Sequence, residues 1–283
     1  MKTKWLWAAG MATAAGLILL DALVLEHYLF KIKEYHIGVK DRNSRSLKIL
    51  LLTDLHLKHK LSAKYKRLID KIRTIAPDII LLAGDSLDEN GKPEILDDFF
   101  RELPALTPKA AILGNHEYKN DASMRSIKDI FAQNKVDLLI NKSKAYHFGE
   151  EKLMVTGLDD MVESDANFKK AVASVGHEKM HVGLIHTPLL QDKVEEQIPA
   201  INKKREKRDE LNLSYLFAGH NHGGQVTAFG KPLILPDKAG HYVKGWYNDK
   251  KPYLYVSKGF GNSTLPVRFA ARAEAILFHY HYT

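Results

Sequence analysis

The chain has 283 residues, 45% hydrophobic and 27% charged, enough for one domain with a sizeable core, and no Pro/Gly/Ser-rich linker divides it. Its formal net charge of +8 suits an anionic partner (nucleic acid, acidic headgroups or a phosphorylated substrate) without choosing among them. The absence of cysteine excludes a disulfide framework and a thiolate metal site. Any metal must therefore be held by His, Asp, Glu or Asn, donors that suit Mn, Zn, Fe or Mg.

The first feature in chain order is an unbroken run of apolar and small residues from Trp5 to Leu20, preceded by Lys2 and Lys4. Asp21, Glu26 and His27 interrupt its continuation to Phe30. The whole stretch reaches the roughly 20 residues that a membrane-crossing helix needs, with Trp5, Trp7 and Tyr28 placed for the two interfaces. The expectation is a transmembrane anchor over residues 1–31. A cleaved signal peptide competes, but no small-residue cleavage site follows the run directly, and the early lysines and terminal position disfavour a core helix. Lys31, Lys33, Lys40, Arg42, Arg45 and Lys48 outnumber the cations before the run, so the flanking charge leans towards the cytoplasmic side of a cell membrane. Residues 32–46 are expected to be a basic linker, and residues 47–283 the folded domain.

Leu47 to Thr53 is a short continuous apolar run, as a buried strand requires. Residues 63–75 carry Leu68, Ile69, Ile72 and Ile75 on one helical face, and Pro77 ends that helix. Further strands are expected at 78–83, 109–113, 144–148, 152–157, 180–186 and 213–218, and helices at 93–103, 121–134 and 166–175. The tail looks strand-rich, at 224–228, 253–257 and 274–280. Strand and helix alternate first and strands accumulate later, which predicts an α/β layered fold with more than one sheet. The charged run Lys203 to Glu210 is expected to be a solvated loop or helix face.

Apolar strands repeatedly end in metal-binding residue types. The run 47–53 delivers Asp54 and His56, and 78–83 delivers Gly84-Asp85-Ser86-Leu87-Asp88. The strand at 109–113 delivers Gly114-Asn115-His116-Glu117, 180–185 delivers His186, and 213–218 delivers Gly219-His220-Asn221-His222. Carboxyl ends of strands are where open α/β sheets place their sites. A carboxylate such as Asp85 can bridge two cations about 3.5–4 Å apart. Neutral imidazoles complete the shells, and the glycines before Asp85, Asn115 and His220 allow sharp turns. Each short motif alone is weak; their co-occurrence after successive strands carries the weight. The other histidines lack this setting, with His241 the one to watch.

The set D-x-H, GD-x-x-D, GNHE, H and GH-x-H resembles the signature of the calcineurin-like metallophosphoesterase superfamily over about residues 47–283. GHNHGGQV and LYVSKGFGNSTLPVR resemble its bacterial YkuE/YaeI-like branch. The resemblance implies a four-layer sandwich of two mixed β-sheets flanked by helices, here preceded by an N-terminal hydrophobic helix. It implies two divalent ions (Mn, Fe or Zn), one held by Asp54, His56, Asp85 and His222, the other by Asp85, Asn115, His186 and His220. It further implies that His116 stabilises or protonates the leaving oxygen, oriented by Asp88, while a hydroxide between the metals attacks phosphorus. Arg268 is expected near the substrate phosphate. The stretch between His186 and His220 is longer than usual for the branch, and Ala273 stands where a proline is common.

The expected function is therefore a membrane-associated hydrolase of a phosphomonoester, phosphodiester or pyrophosphate. The anchor favours a lipid-linked substrate, of which UDP-2,3-diacylglucosamine is the most concrete. A non-catalytic scaffold of the same fold would show a degraded ligand set, and none of the positions is lost. A nuclease would show a basic groove interleaved with aromatics, and no such pattern is present, so nucleic acid is disfavoured as a partner.

Overall fold

The computed structural model describes residues 28–41, 44–120, 122–228, 230–233, 235–263 and 267–283, together with Trp5, Trp7, Gly10, Thr13 and Gly16. In chain order the strands are β1 (Phe30–Gly38), β2 (Arg45–Leu52), β3 (Ile79–Ala83), β4 (Lys109–Ile112), β5 (Val136–Leu138), β6 (Lys142–Phe148) and β7 (Glu151–Gly157). They continue as β8 (Met180–Leu184), β9 (Tyr215–Ala218), β10 (Thr227–Ala228), β11 (Lys231–Pro232), β12 (Gly245–Tyr247), β13 (Tyr253–Val256) and β14 (Ala273–Tyr282). The helices are α1 (Ala63–Ile75), α2 (Pro93–Glu102), α3 (Asn115–Lys119), α4 (Met124–Gln133), α5 (Phe168–Ala171) and α6 (Leu190–Asn202).

Two six-stranded mixed sheets result, ordered β1-β14-β2-β3-β4-β5 and β12-β13-β9-β8-β7-β6. In the first, β2 to β5 run parallel and β14 lies antiparallel to β2. The alternation of side chains along a strand explains the layering. In β2, Ile49 and Leu51 face inward with Leu81, Val182, Phe217 and Phe278, forming a core between the sheets. Leu50 and Leu52 face the opposite way, where Leu68, Ile72, Leu96, Phe99 and Phe131 of α1, α2 and α4 cover them. Strands buried on both faces read as continuous apolar runs, as β2 and β3 do. The outer face of the second sheet is covered by α5 and α6 through Phe168, Val172, Leu190 and Val194. Truncating a residue of the central layer, such as Leu81 at 0% exposure, would cost about 2–5 kcal/mol.

Register positions the site. Leu52 pairs with Leu82 and Ala83 with Ile112, so the carboxyl ends of β2, β3 and β4 finish side by side. In the second sheet Leu184 pairs with Phe217, which aligns the ends of β8 and β9.

Two expectations are corrected. The N-terminal hydrophobic helix and its anchor fall mostly on residues outside those described. Among the described residues, no helix is long and apolar enough to cross a membrane, which overturns the membrane placement and the side assigned with it. In the sequence, Asp21 and Glu26 break the apolar run between Trp5 and Phe30. Residues 32–46 are not simply a linker, because β1 runs through Phe30–Gly38 and pairs in parallel with β14. The charged run Lys203–Glu210 is mostly exposed, and Arg205 within it donates to the carbonyls of Val172 and Val175; α6 precedes it in the stretch between His186 and His220.

Candidate metal centre

Three overlapping groups of buried donors cluster where the two sheets meet: Asp54, His56 and His222; His56, Asp85 and His116; and Asp85, His186 and His220. Within each group one ligand atom per residue lies within 4.8 Å of the others. His56 Nε2 is 3.6 Å from Asp85 Oδ2 and 3.0 Å from His222 Nε2. On the other side, His186 Nε2 is 3.2 Å from Asp85 Oδ2, 3.2 Å from Asn115 Oδ1 and 3.3 Å from His220 Nδ1. Asp85 thus stands between the two halves of the cluster. All seven residues expected as ligands come together here.

The loops reach this geometry by unusual backbone. Asp54, His56, Asp85, His220 and His222 all have positive φ, between 46° and 69°, although none is glycine. Such conformations cost of order 1 kcal/mol each or more and persist where surrounding structure enforces them. The enforcement is visible: Asp54 N donates to Gly84 O at 3.1 Å, His56 N to Asp85 O at 2.9 Å, and Gly219 N to His186 O at 3.1 Å. Of the glycines preceding ligands, Gly84 turns in the left-handed region, at φ +87°. Gly114 serves differently, because a Cβ there would collide with the Asp85 carboxylate.

Ring tautomers follow from partners. His56 Nδ1 donates to Asp88 Oδ2 at 3.1 Å, which leaves the Nε2 lone pair facing the cluster. His186 Nδ1 donates to Ala83 O at 3.0 Å and His220 Nε2 to Asp237 O at 2.9 Å, which turns the opposite nitrogen of each ring towards the cluster. His222 is the exception. The Arg268 guanidinium, which can only donate, lies 2.9 Å from its Nδ1.

Electrostatics are set by burial and mutual proximity. Burial opposes charge on Asp85, but His186, His56 and His116 beside it hold its carboxyl well below the usual range. Burial likewise lowers His186, and Asp85 overrides this to push it up to about 10. Burial pulls His222 well down, reinforced by His56 and Arg268, and pulls His220 and His116 down as well. The donor set passes a test of fit for divalent cations. Asp54 Oδ2 is buried with no hydrogen-bond partner, and its companions are imidazole and amide oxygen donors with no thiolate.

Two residues, Asp88 and Arg268, have partners other than those expected, and His241 stays outside the cluster. Asp88 Oδ2 is 3.8 Å from His116 Nδ1, farther than from His56, and His116 Nδ1 instead accepts from the Glu89 amide at 3.3 Å. Arg268 is 0% exposed and donates to the carbonyls of Lys258, Gly261 and Ala271 and to Asn262 Oδ1. It braces the loop and the His222 ring. His241 is exposed and packs on the Tyr242 ring, outside the cluster. Sequence reasoning gave no role to Glu117. Its buried carboxylate accepts from the amides of Asp85 at 3.1 Å, Leu87 at 2.9 Å and Gly114 at 2.8 Å, tying two ligand loops together. Its place in the motif GNHE was the available signal.

A sequence profile described as calcineurin-like phosphoesterase matches residues 47–224. This chain belongs to the calcineurin-like phosphoesterase family, and its class is phosphoric ester hydrolase. It is similar to the uncharacterized metallophosphoesterase YkuE of Bacillus subtilis, 25% identical, over 96% of this chain and 92% of that protein. It is also 28% identical to an uncharacterized metallophosphoesterase of Helicobacter pylori strain J99, and 25% identical to Cj0846 of Campylobacter jejuni. The chain spans 62% and 59% of those two proteins.

Proposed function

We propose that the protein is a dinuclear metal-dependent phosphoesterase acting at this seam. The observation that carries the reading is the convergence of buried Asp and His donors into overlapping groups that share Asp85. Asp54, His56, Asp85 and His222 would hold one divalent ion, and Asp85, Asn115, His186 and His220 the other. When bound, such ions supply Lewis acidity towards phosphoryl oxygens and lower the pKa of water.

The chain's own residues supply the rest. His116 accepts the Glu89 amide at Nδ1, so its proton sits on Nε2, available to the leaving oxygen. Its amide donates to Asp85 Oδ1 at 2.9 Å, which fixes the His116 backbone against the shared carboxylate. Asp88 orients His56 through Nδ1 and stands next to His116. Glu117 fixes the loops, accepting from the amides of Asp85, Leu87 and Gly114.

The scaffold alternative gains nothing from the geometry, since each expected ligand position carries a competent donor. A lipid-linked substrate rested on the anchor, and among the described residues nothing else favours it. The test is release of phenolate from 4-nitrophenyl phosphate and its diester by protein loaded with Mn, with metal content measured in parallel. Protein that holds less than one tightly bound transition metal and releases nothing would sink the reading.

A further inference from the structure

A cavity of about 290 Å³ opens beside His56, and among the described residues none that lines it is acidic. Lys58 and Lys60 arrive on the segment that follows the ligand His56, and Gly261 and Asn262 also line the cavity. Lys60 is exposed and has no ion-pair partner among the described residues. Lys58 Nζ lies 3.6 Å from Asp88 Oδ2, which places one cation at the border with the metal cluster. The walls are held in place. Lys64 is buried, donates to Phe260 O at 2.8 Å and stacks over the Phe260 ring, while the Tyr65 hydroxyl donates to Leu55 O.

We infer that this cavity is a second anion subsite, and that the substrate carries a second phosphate a few bonds from the one that is cleaved. The inference rests on the phosphoesterase reading of the adjoining cluster and narrows its substrate class. Lys58 and Lys60 lining a pocket that no described carboxylate lines favour a compact dianion. The volume is at the low end for ligand sites, about 300–1,000 Å³, so it takes a phosphate with little attached, not a nucleoside. Ser62, the N-cap of α1, also lines the cavity, and the first turn of that helix contains no acidic residue to oppose an anion.

The experiment compares a hexose bisphosphate with the matching hexose monophosphate as substrates of the Mn-loaded protein. The wild type is expected to favour the bisphosphate about tenfold or more in kcat/KM. Lys60→Ala should reduce that ratio towards one, chiefly through the KM of the bisphosphate, and Lys60→Arg should restore it; a charged hydrogen bond is worth about tenfold or more. Lys58 is left intact because it also faces Asp88. No preference in the wild type, or a preference that survives in Lys60→Ala, overturns the subsite. If neither sugar phosphate nor 4-nitrophenyl phosphate is cleaved, the phosphoesterase reading fails instead. Calorimetric binding of the same two sugars then decides the subsite by the same ratio.

Discussion

Asp88 Oδ2 lies 3.1 Å from His56 Nδ1, closer than its 3.8 Å to His116, so this carboxylate orients a ring of the ligand cluster first. Partners of this kind typically change metal affinity 10–100-fold. Asp88→Ala should therefore weaken metal binding by about that factor, read by competition with a chelator of known affinity. Undiminished affinity with lost turnover would return Asp88 to a role on His116.

His116 stands in the same neighbourhood but offers the site a proton donor and not a needed ligand. His116→Ala is expected to lower kcat by about a hundredfold or more while metal content stays near that of the wild type. Stripping of the metals by this substitution would show that the roles are wrongly divided.

Arg268 is a buried cation serving carbonyl groups. Arg268→Met would leave the Lys258, Gly261 and Ala271 carbonyls short of a donor, at a cost of about 1–3 kcal/mol for an unsatisfied group. A loss near 3 kcal/mol should lower Tm by roughly 6–12 °C in a chain of this size. Thermal unfolding of wild type and variant checks this; an unchanged Tm would mean that the guanidinium is free to turn towards substrate.

His181 gives a pH dependence away from the ligand cluster. Burial lowers its pKa to about 3, and its Nε2 pairs with Thr156 Oγ1 at 2.7 Å. The unfolded chain takes up that proton near pH 6.5, while the folded protein does not until about pH 3, so stability falls as pH drops through this window. Between pH 7 and pH 5 the stability advantage of wild type over His181→Gln should shrink by about 2 kcal/mol. Denaturant titrations at the two pH values measure it, and a constant difference would show that His181 is protonated in the folded state.

Much of this was legible in the sequence, for identifiable reasons. Strands β2, β3 and β4 are apolar on both faces and stop at glycine or aspartate, so their runs and the ligands after them stand out. The helix at 63–75 matches α1, because its apolar residues keep helical spacing and Pro77 follows. Strand β1 escaped because Lys31, Glu34 and His36 face outward on an edge strand whose partner lies at the far end of the chain. Helix α6 was hidden by Pro199 within it and by the charged run after it, while α5 came out far shorter than expected. The membrane expectation fell mostly on residues outside those described, and among the described ones no helix is long and apolar enough to cross a membrane. Within the site, residue types were readable but pairings were not: whether Asp88 meets His56 or His116, and which way Arg268 points, depend on loops brought together from across the chain.

Asp54, His56, Asp85 and Asn115 issue from one sheet, and His186, His220 and His222 from the other. A cation gripped by both sets is a rivet through the seam, formed only when the two halves are docked. Each tenfold excess of free ion over its dissociation constant then adds about 1.4 kcal/mol to the folded state. The ion supply around this protein would thus govern how long the molecule survives as well as how fast it works.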